Sequence, residues 1–91
     1  MVFVTLRFTV GDYAKFRQAF DENESWRQDA GSMGNNQVYQ DVADPNTVTL
    51  VLEWDNAEHA RAFLDNPELR ERQKNAGIVG APAVRTVMSR A

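Results

Sequence analysis

Val38-Tyr39-Gln40-Asp41-Val42-Ala43-Asp44-Pro45-Asn46-Thr47-Val48-Thr49-Leu50-Val51-Leu52-Glu53-Trp54 reads as two extended segments joined by a tight turn. Thr47 to Trp54 alternates in polarity and is rich in β-branched residues, the composition of a half-buried strand. Gln37 to Val42 carries a weaker form of the same pattern. Asp44-Pro45-Asn46 is turn chemistry, because proline fixes φ and the flanking side chains bond nearby backbone. So short a connection predicts an antiparallel hairpin.

Upstream of the hairpin, Val2 to Val10 is a further strand, broken at Gly11-Asp12. Asp12 is an N-cap for a helix predicted from Tyr13 to about Ala30, with Tyr13, Phe16 and Phe20 on its inner face and Gly31 closing it. Ser32 to Asn36 reads as a polar loop. Downstream, Asp55 caps a second helix, with Glu58 as capping-box partner and Ala60, Phe63 and Leu64 turned inward. Asn66-Pro67 restarts that helix through about Asn75, with Glu68 and Arg72 as an i, i+4 pair. Ala76-Gly77 ends it, and Ala83 to Ser89 is the last strand. The order β-α-β-β-α-β predicts an α+β, ferredoxin-like fold. Right-handed crossovers then put both helices on one face of a four-stranded antiparallel sheet.

The 91 residues fit one domain, 1–91. With 43% hydrophobic and 25% charged residues the chain is expected to fold rather than remain disordered. It has no cysteine, which removes disulfides, thiolate catalysis and cysteine-held metal, and its single histidine, His59, cannot build a multi-histidine site. A net charge of −3 with scattered basic residues gives no footprint for nucleic acid or an anionic membrane. Apolar runs are strand-sized, and the first residues lack the basic start of a signal peptide, so a soluble, cytoplasmic protein is expected.

Successive strand residues point to opposite faces. Val2, Val4, Leu6 and Phe8, with Val48, Leu50, Leu52 and Trp54, suit the helix-covered side. That leaves Phe3, Thr5, Arg7 and Thr9, then Thr47, Thr49, Val51 and Glu53, then Gln37, Tyr39 and Asp41. Arg85 and Val87 join this second face if Val84 and Met88 turn to the helices. A patch mixing Phe3, Tyr39, Val51 and Val87 with charges is large for a monomer, and burial against a second copy would shield it. The enclosed space would have the mixed walls of a small-molecule site.

Val38-Tyr39-Gln40-Asp41, Asp44-Pro45-Asn46, Leu50-Val51-Leu52-Glu53-Trp54-Asp55, Ala60-Arg61-Ala62-Phe63 and Asn66-Pro67-Glu68-Leu69-Arg70 together resemble the dimeric α/β-barrel superfamily, and within it the antibiotic-biosynthesis-monooxygenase-like proteins. The resemblance implies a homodimer with a ligand cavity between sheet and helices in each protomer. It also implies an activity among cofactor-independent oxygenases of polycyclic phenols, haem-degrading enzymes, polyketide cyclases and lactone isomerases, or none. Many relatives place a histidine in the second half of the first helix, where this chain has Asp21-Glu22-Asn23-Glu24. That difference speaks against histidine ligation of haem there.

Arg7 and Arg85 could clamp a carboxylate or phenolate through their bidentate forks, or pair with Glu53 or Asp41. Tyr39 could donate to a ligand oxygen, or pack its ring and wet its hydroxyl. Glu53 could be a general base if buried, or an arginine's partner. Phe3 and Trp26 could wall an aromatic ligand, and Trp26 and Trp54 could equally be core. His59 lies in a first helical turn, where the dipole disfavours its cation, and the Asp21 to Glu24 run suits a solvated face. The expected activity is a cofactor-independent monooxygenase or cyclase on an aromatic, polyketide-like molecule, with no cofactor and no metal. The alternative is a non-catalytic ligand-binding or stress-associated protein.

Overall fold

The computed structural model describes residues 1–91. Its elements are β1 (Val2–Val10), α1 (Tyr13–Glu22), α2 (Glu24–Ala30), β2 (Ser32–Gln40), β3 (Thr47–Trp54), α3 (Ala57–Asp65), α4 (Pro67–Asn75) and β4 (Ile78–Ser89). The strands form one antiparallel sheet in the order β2-β3-β1-β4, the ferredoxin-like arrangement.

The inner row is as the alternation predicts. Val4, Leu6 and Phe8 of β1 and Val48, Leu50, Leu52 and Trp54 of β3 are all buried, Val2 is half-buried at the edge of the core, and Val10 extends the same row. They share one core with Phe16 and Phe20 of α1, Ala60 and Phe63 of α3, and Leu69 of α4. Asp12 caps α1 by accepting from the Lys15 N–H, and Asn66 caps α4 by accepting from Glu68 N–H with Pro67 at its start. Glu68 and Arg72 pair at 3.6 Å.

Five expectations are corrected. The first helix is two helices, because Asn23 sits at φ −90° and ψ 7° and its side-chain amide donates back to the Ala19 carbonyl at 2.9 Å. A side chain that bonds its own preceding turn competes with the helix ladder. Second, the Ser32 to Asn36 loop belongs to β2, which ends at Gln40, not Val42; its pairing with β3 is irregular between Ser32 and Asn36, where Gly34 has φ +81°. Third, β4 begins at Ile78, ahead of Ala83. Gly80 (φ +71°) and Pro82 read as breakers, yet an edge strand tolerates both, and the register shifts between Arg7 and Thr9 beside them.

Fourth, the cap of α3 is Asn56, which accepts from the His59 N–H at 2.8 Å; Asp55 instead meets the His59 ring at 2.8 Å. That hydrogen bond from His59 holds the Asp55 carboxyl below its ordinary value. Fifth, the face assignment of β4 is reversed. Arg85 lies opposite Leu6 and Val87 opposite Val4, so both share the helix-covered side, whereas Val84, Thr86 and Met88 lie opposite Arg7, Thr5 and Phe3. On that side Val87 packs against the core, and Arg85 reaches the C-terminus of α3, donating to the Leu64 carbonyl and to the Asp65 carboxylate at 3.1 Å. This facing supplies both an apolar contact and a cation at a helix end.

Trp54, the last residue of β3, ties that end of the sheet to the helices. Its ring meets Phe63 at 4.4 Å between centroids, and its Nε1–H donates to the Ala30 carbonyl at 3.2 Å. Gly31 stands over it with φ +124°, and a Cβ there would lie 2.7 Å from Trp54 Nε1 and 2.6 Å from Asp55 Oδ1. Only glycine fits.

Candidate functional site

Between the sheet's inner face and the helices lies a cavity of about 50 Å³. Leu6, Phe8, Leu50 and Leu52 make its floor, and Phe16, Phe20, Trp26 and Phe63 make its aromatic walls. Its remaining lining includes Asn23, Arg27, Arg72 and Gln73, so no carboxylate, histidine or tyrosine reaches it. A space of this volume holds a water or two rather than an aromatic ring, so a ligand of that kind needs side chains to move aside.

Two guanidiniums supply the cavity's charge. Arg27, from α2, is buried to 6% side-chain exposure, stacks over the Phe20 ring at 3.7 Å and donates to Glu24 at 2.7 Å. Burial pushes its pKa down despite that carboxylate. Glu24 also accepts from Asn36 at 2.7 Å and from Gln28 at 3.3 Å, tying α2 to β2. It is therefore the hub of a network and not part of a freely solvated acidic face. Arg72, from α4, lies over Trp26 at 4.2 Å, donates to the Asn23 side-chain oxygen and faces Glu68, which accepts from Trp26 Nε1–H at 2.7 Å.

The Nε–H of Arg27 and the Nε–H of Arg72 are buried and have no partner. Unpaired buried donors are rare because each forfeits its hydration. Both belong to arginines that border the cavity but are themselves shielded from its open space, so a ligand that brings oxygen acceptors reaches them only as the surrounding side chains move. Chemically, the site can desolvate a flat apolar molecule and stabilise negative charge on it.

Of the six residues singled out from the sequence, Trp26 alone lines this cavity. Phe3, Arg7, Tyr39 and Glu53 lie on the sheet's other face, which no helix covers. Phe3 stands between Glu53 and Met88 in the cross-strand register, and Arg7 between Thr49 and Val84. Tyr39, 53% exposed, donates to Gln37 at 3.0 Å, and Glu53 accepts from Asn35 at 3.3 Å. Neither Glu53 nor Asp41 pairs with arginine: Arg7 has no ion pair, and Arg85 goes to Asp65. The structure thus separates Arg7 from Arg85 by the thickness of the sheet.

Arg27, Arg72 and Asn23 were not foreseen. Arg27 lies eleven residues after Phe16 and seven after Phe20, three and two helical turns along one face, and that spacing was the available signal.

A family model described as antibiotic biosynthesis monooxygenase matches residues 1–75. A comparison with curated protein sequences gave no match. Among solved structures, the chain is similar to an assigned antibiotic biosynthesis monooxygenase of Bordetella bronchiseptica, with TM-score 0.80 and 16% identity over 99% of this chain and 96% of that one. It is also similar to SnoaB, a cofactor-independent oxygenase from Streptomyces nogalater, with TM-score 0.76 and 16% identity over 99% and 92%. A third is an assigned antibiotic biosynthesis monooxygenase of Deinococcus radiodurans, with TM-score 0.69 and 18% identity over 100% and 93%. At these identities the likeness is one of fold.

Proposed function

Because the chain belongs to the antibiotic biosynthesis monooxygenase family, we propose that it binds a small aromatic, polyketide-like molecule between sheet and helices and oxygenates it without a cofactor. The observation that carries this reading is the apolar cavity whose two guanidinium Nε–H groups lack partners. The substrate loses a proton as it settles beside Arg27 and Arg72, which stabilise the resulting anion electrostatically. The carbanion form then gives its electrons to molecular oxygen directly, forming a C–O bond as a hydroperoxide (C–OOH) that loses water to leave C=O. One oxygen atom thus ends in the product and the other in water, and no protein-bound redox group is needed. No side chain of the lining is a base, so the proton leaves to water, and a substrate already acidic near neutrality is required.

A thermal-shift screen tests the binding half. Phenolic polycycles should raise the melting temperature by several degrees where aliphatic acids do not, since a ligand at 100 times its Kd adds about 2.7 kcal/mol. Oxygen uptake with the stabilising compounds tests the chemistry. If no aromatic compound shifts the transition, the reading is wrong. A lining with no carboxylate, histidine or tyrosine also favours the second reading, non-catalytic binding. In that case the stabilising ligand is recovered unchanged after incubation in air.

The proposal includes a homodimer formed through the open face of the sheet. Phe3, Tyr39, Val51, Val84 and Met88 support it, since they lie on that face, and Tyr39, Val84 and Met88 are exposed in a single chain. Arg7 and Glu53 would find counter-charges across such an interface. Light scattering at micromolar concentration should return twice the 10.3 kDa of one chain, and Val51→Arg, which sets a charge at the centre of that face, should return the single mass. A wild-type mass of one chain would rule the dimer out. In any dimer of this kind the cavity is on the far side of the sheet from the interface.

A further inference from the structure

We propose that the groove between the α3–α4 elbow and β4 binds a small molecule carrying two oxyanion groups, phosphate or carboxylate; the inference does not draw on the reaction proposed above. Two surface hollows of about 210 and 380 Å³ lie there. Arg61 and Thr86 border the first, and Arg70, Gln73 and Pro82 border the second. Both hollows border Leu64, Asp65 and Arg85, so the Arg85 guanidinium is within reach of a ligand in either.

The lining gathers three arginines and one carboxylate, Asp65, on a chain whose net charge is −3. Positive charge is thus concentrated here against the sign of the whole molecule. Arg85 holds Asp65 at 3.1 Å and donates to the Leu64 carbonyl, which fixes its guanidinium across the end of α3. Arg61 stands four residues before Asp65 and three after Glu58, yet it pairs with neither. An arginine placed ahead of its carboxylate is the weaker order for an i, i+4 pair, and Asp65 is already engaged. The positions three and four residues from Arg70 are Asn66, Pro67, Gln73 and Lys74, so its own helix offers it no carboxylate. Two guanidiniums are therefore left without a counter-charge along one groove.

The array fits two anionic groups better than one. Arg61 and Arg85 serve the first hollow, and Arg70 and Arg85 serve the second. Both bonds from Arg85 to α3 are made by Nη2, which leaves its Nε–H and Nη1 for a ligand. A guanidinium presents a planar fork of donors that matches carboxylate and phosphate oxygens alike. A concave site of this volume suits a small molecule rather than a flat protein surface.

Because the groove is open to water, binding there is expected to be weak and to fade as salt is added. Titration of the intact protein with pyrophosphate, citrate and inorganic phosphate, followed by amide and arginine Nε–H NMR signals at low ionic strength and pH 7, tests the site. Pyrophosphate or citrate should shift the Arg61, Arg70 and Arg85 signals, and their relative affinities tell phosphate from carboxylate recognition. Inorganic phosphate, which can serve only one hollow, should bind more weakly than pyrophosphate. Arg61→Gln and Arg70→Gln should each weaken pyrophosphate by about fivefold, the upper range for one exposed ion pair, and the double variant should weaken it further. Arg17→Gln, which removes the same charge from α1, should leave the affinity unchanged. Groove signals that neither pyrophosphate nor citrate moves would overturn the site. So would inorganic phosphate binding as tightly as pyrophosphate, or a loss in Arg17→Gln equal to that in Arg61→Gln, which would mean a general attraction of anions. A polyglutamate peptide that shifts these signals where the small anions do not would overturn the small-molecule ligand in favour of an acidic chain.

Discussion

Trp54→Ala should lower the melting temperature by about 15–30 °C, from a loss of roughly 3–5 kcal/mol for a large aromatic core residue and about 4–8 °C per kcal/mol in a domain of this size. Trp54 is wholly buried. It is also a junction: its ring packs on Phe63 of α3 and its N–H holds the last turn of α2. Truncation therefore opens a void and leaves the Ala30 carbonyl without that donor. Trp54→Phe separates the two effects, because it keeps most of the ring and removes the hydrogen bond, at an expected cost nearer 1 kcal/mol. Differential scanning calorimetry on the three proteins checks both values. A melting temperature for Trp54→Ala within a few degrees of wild type would mean that α2 and α3 do not depend on this side chain.

Arg27→Met should have the opposite signature, with stability nearly unchanged and the site's electrostatics lost. Methionine matches the length of the arginine stem and still packs on Phe20. Glu24 keeps Asn36 and Gln28 as donors, so no buried carboxylate is stranded. Removing one member of a buried ion pair is costly where the other is left as an uncompensated buried charge, but Glu24 is 32% exposed and keeps two donors, so that cost is largely avoided. What disappears is one donor beside the ligand. A charge-assisted hydrogen bond worth about 1.5–3 kcal/mol corresponds to roughly one to two pH units in the ionisation midpoint of a bound phenol. With 4-nitrophenol, whose phenolate absorbs visibly, the midpoint in the bound state should rise by that amount in the variant. With a substrate that the wild type oxygenates, kcat should fall about a hundredfold or more, the usual loss for one anion-stabilising donor. An unmoved nitrophenol midpoint would remove Arg27 from the proposed chemistry.

The fold was legible in the residues wherever a local signal stood unopposed. The β1 and β3 rows were readable because each strand has one face wholly apolar and the other mixed, so only one register buries a core. Asp12 and the Asn66-Pro67 pair were readable because capping is local chemistry. The weak readings fell where local signals conflict. Ser32 to Asn36 has the composition of a loop and is held in the sheet by β3, a tertiary effect outweighing propensity. Val84 and Arg85 could each have turned inward by pattern, and the α3 carbonyls that attract Arg85 lie twenty residues away.

The site was the least readable part. In sequence, Glu24 and Arg27 look like an ordinary surface i, i+3 pair, and Glu68 and Arg72 like an i, i+4 pair. Arg27 is buried because it keeps the helical spacing from Phe16 and Phe20 across the break at Asn23 and so stands over the Phe20 ring, a placement its residue type argued against. By contrast Tyr39 and Glu53, chemically the more reactive types, lie on the side of the sheet away from the cavity. Residue type was a poorer guide here than position relative to the helices.

The outer flank of β4 also governs what happens when many copies crowd together. An incoming strand needs an unbroken row of N–H and C=O groups to dock alongside, the templating step of fibril growth. Here it meets Pro82, which has no N–H to offer, two residues after Gly80, whose left-handed backbone bends the row away. The opposite flank is interrupted at Gly34. Lateral extension of the sheet is thus hindered at one point on each margin.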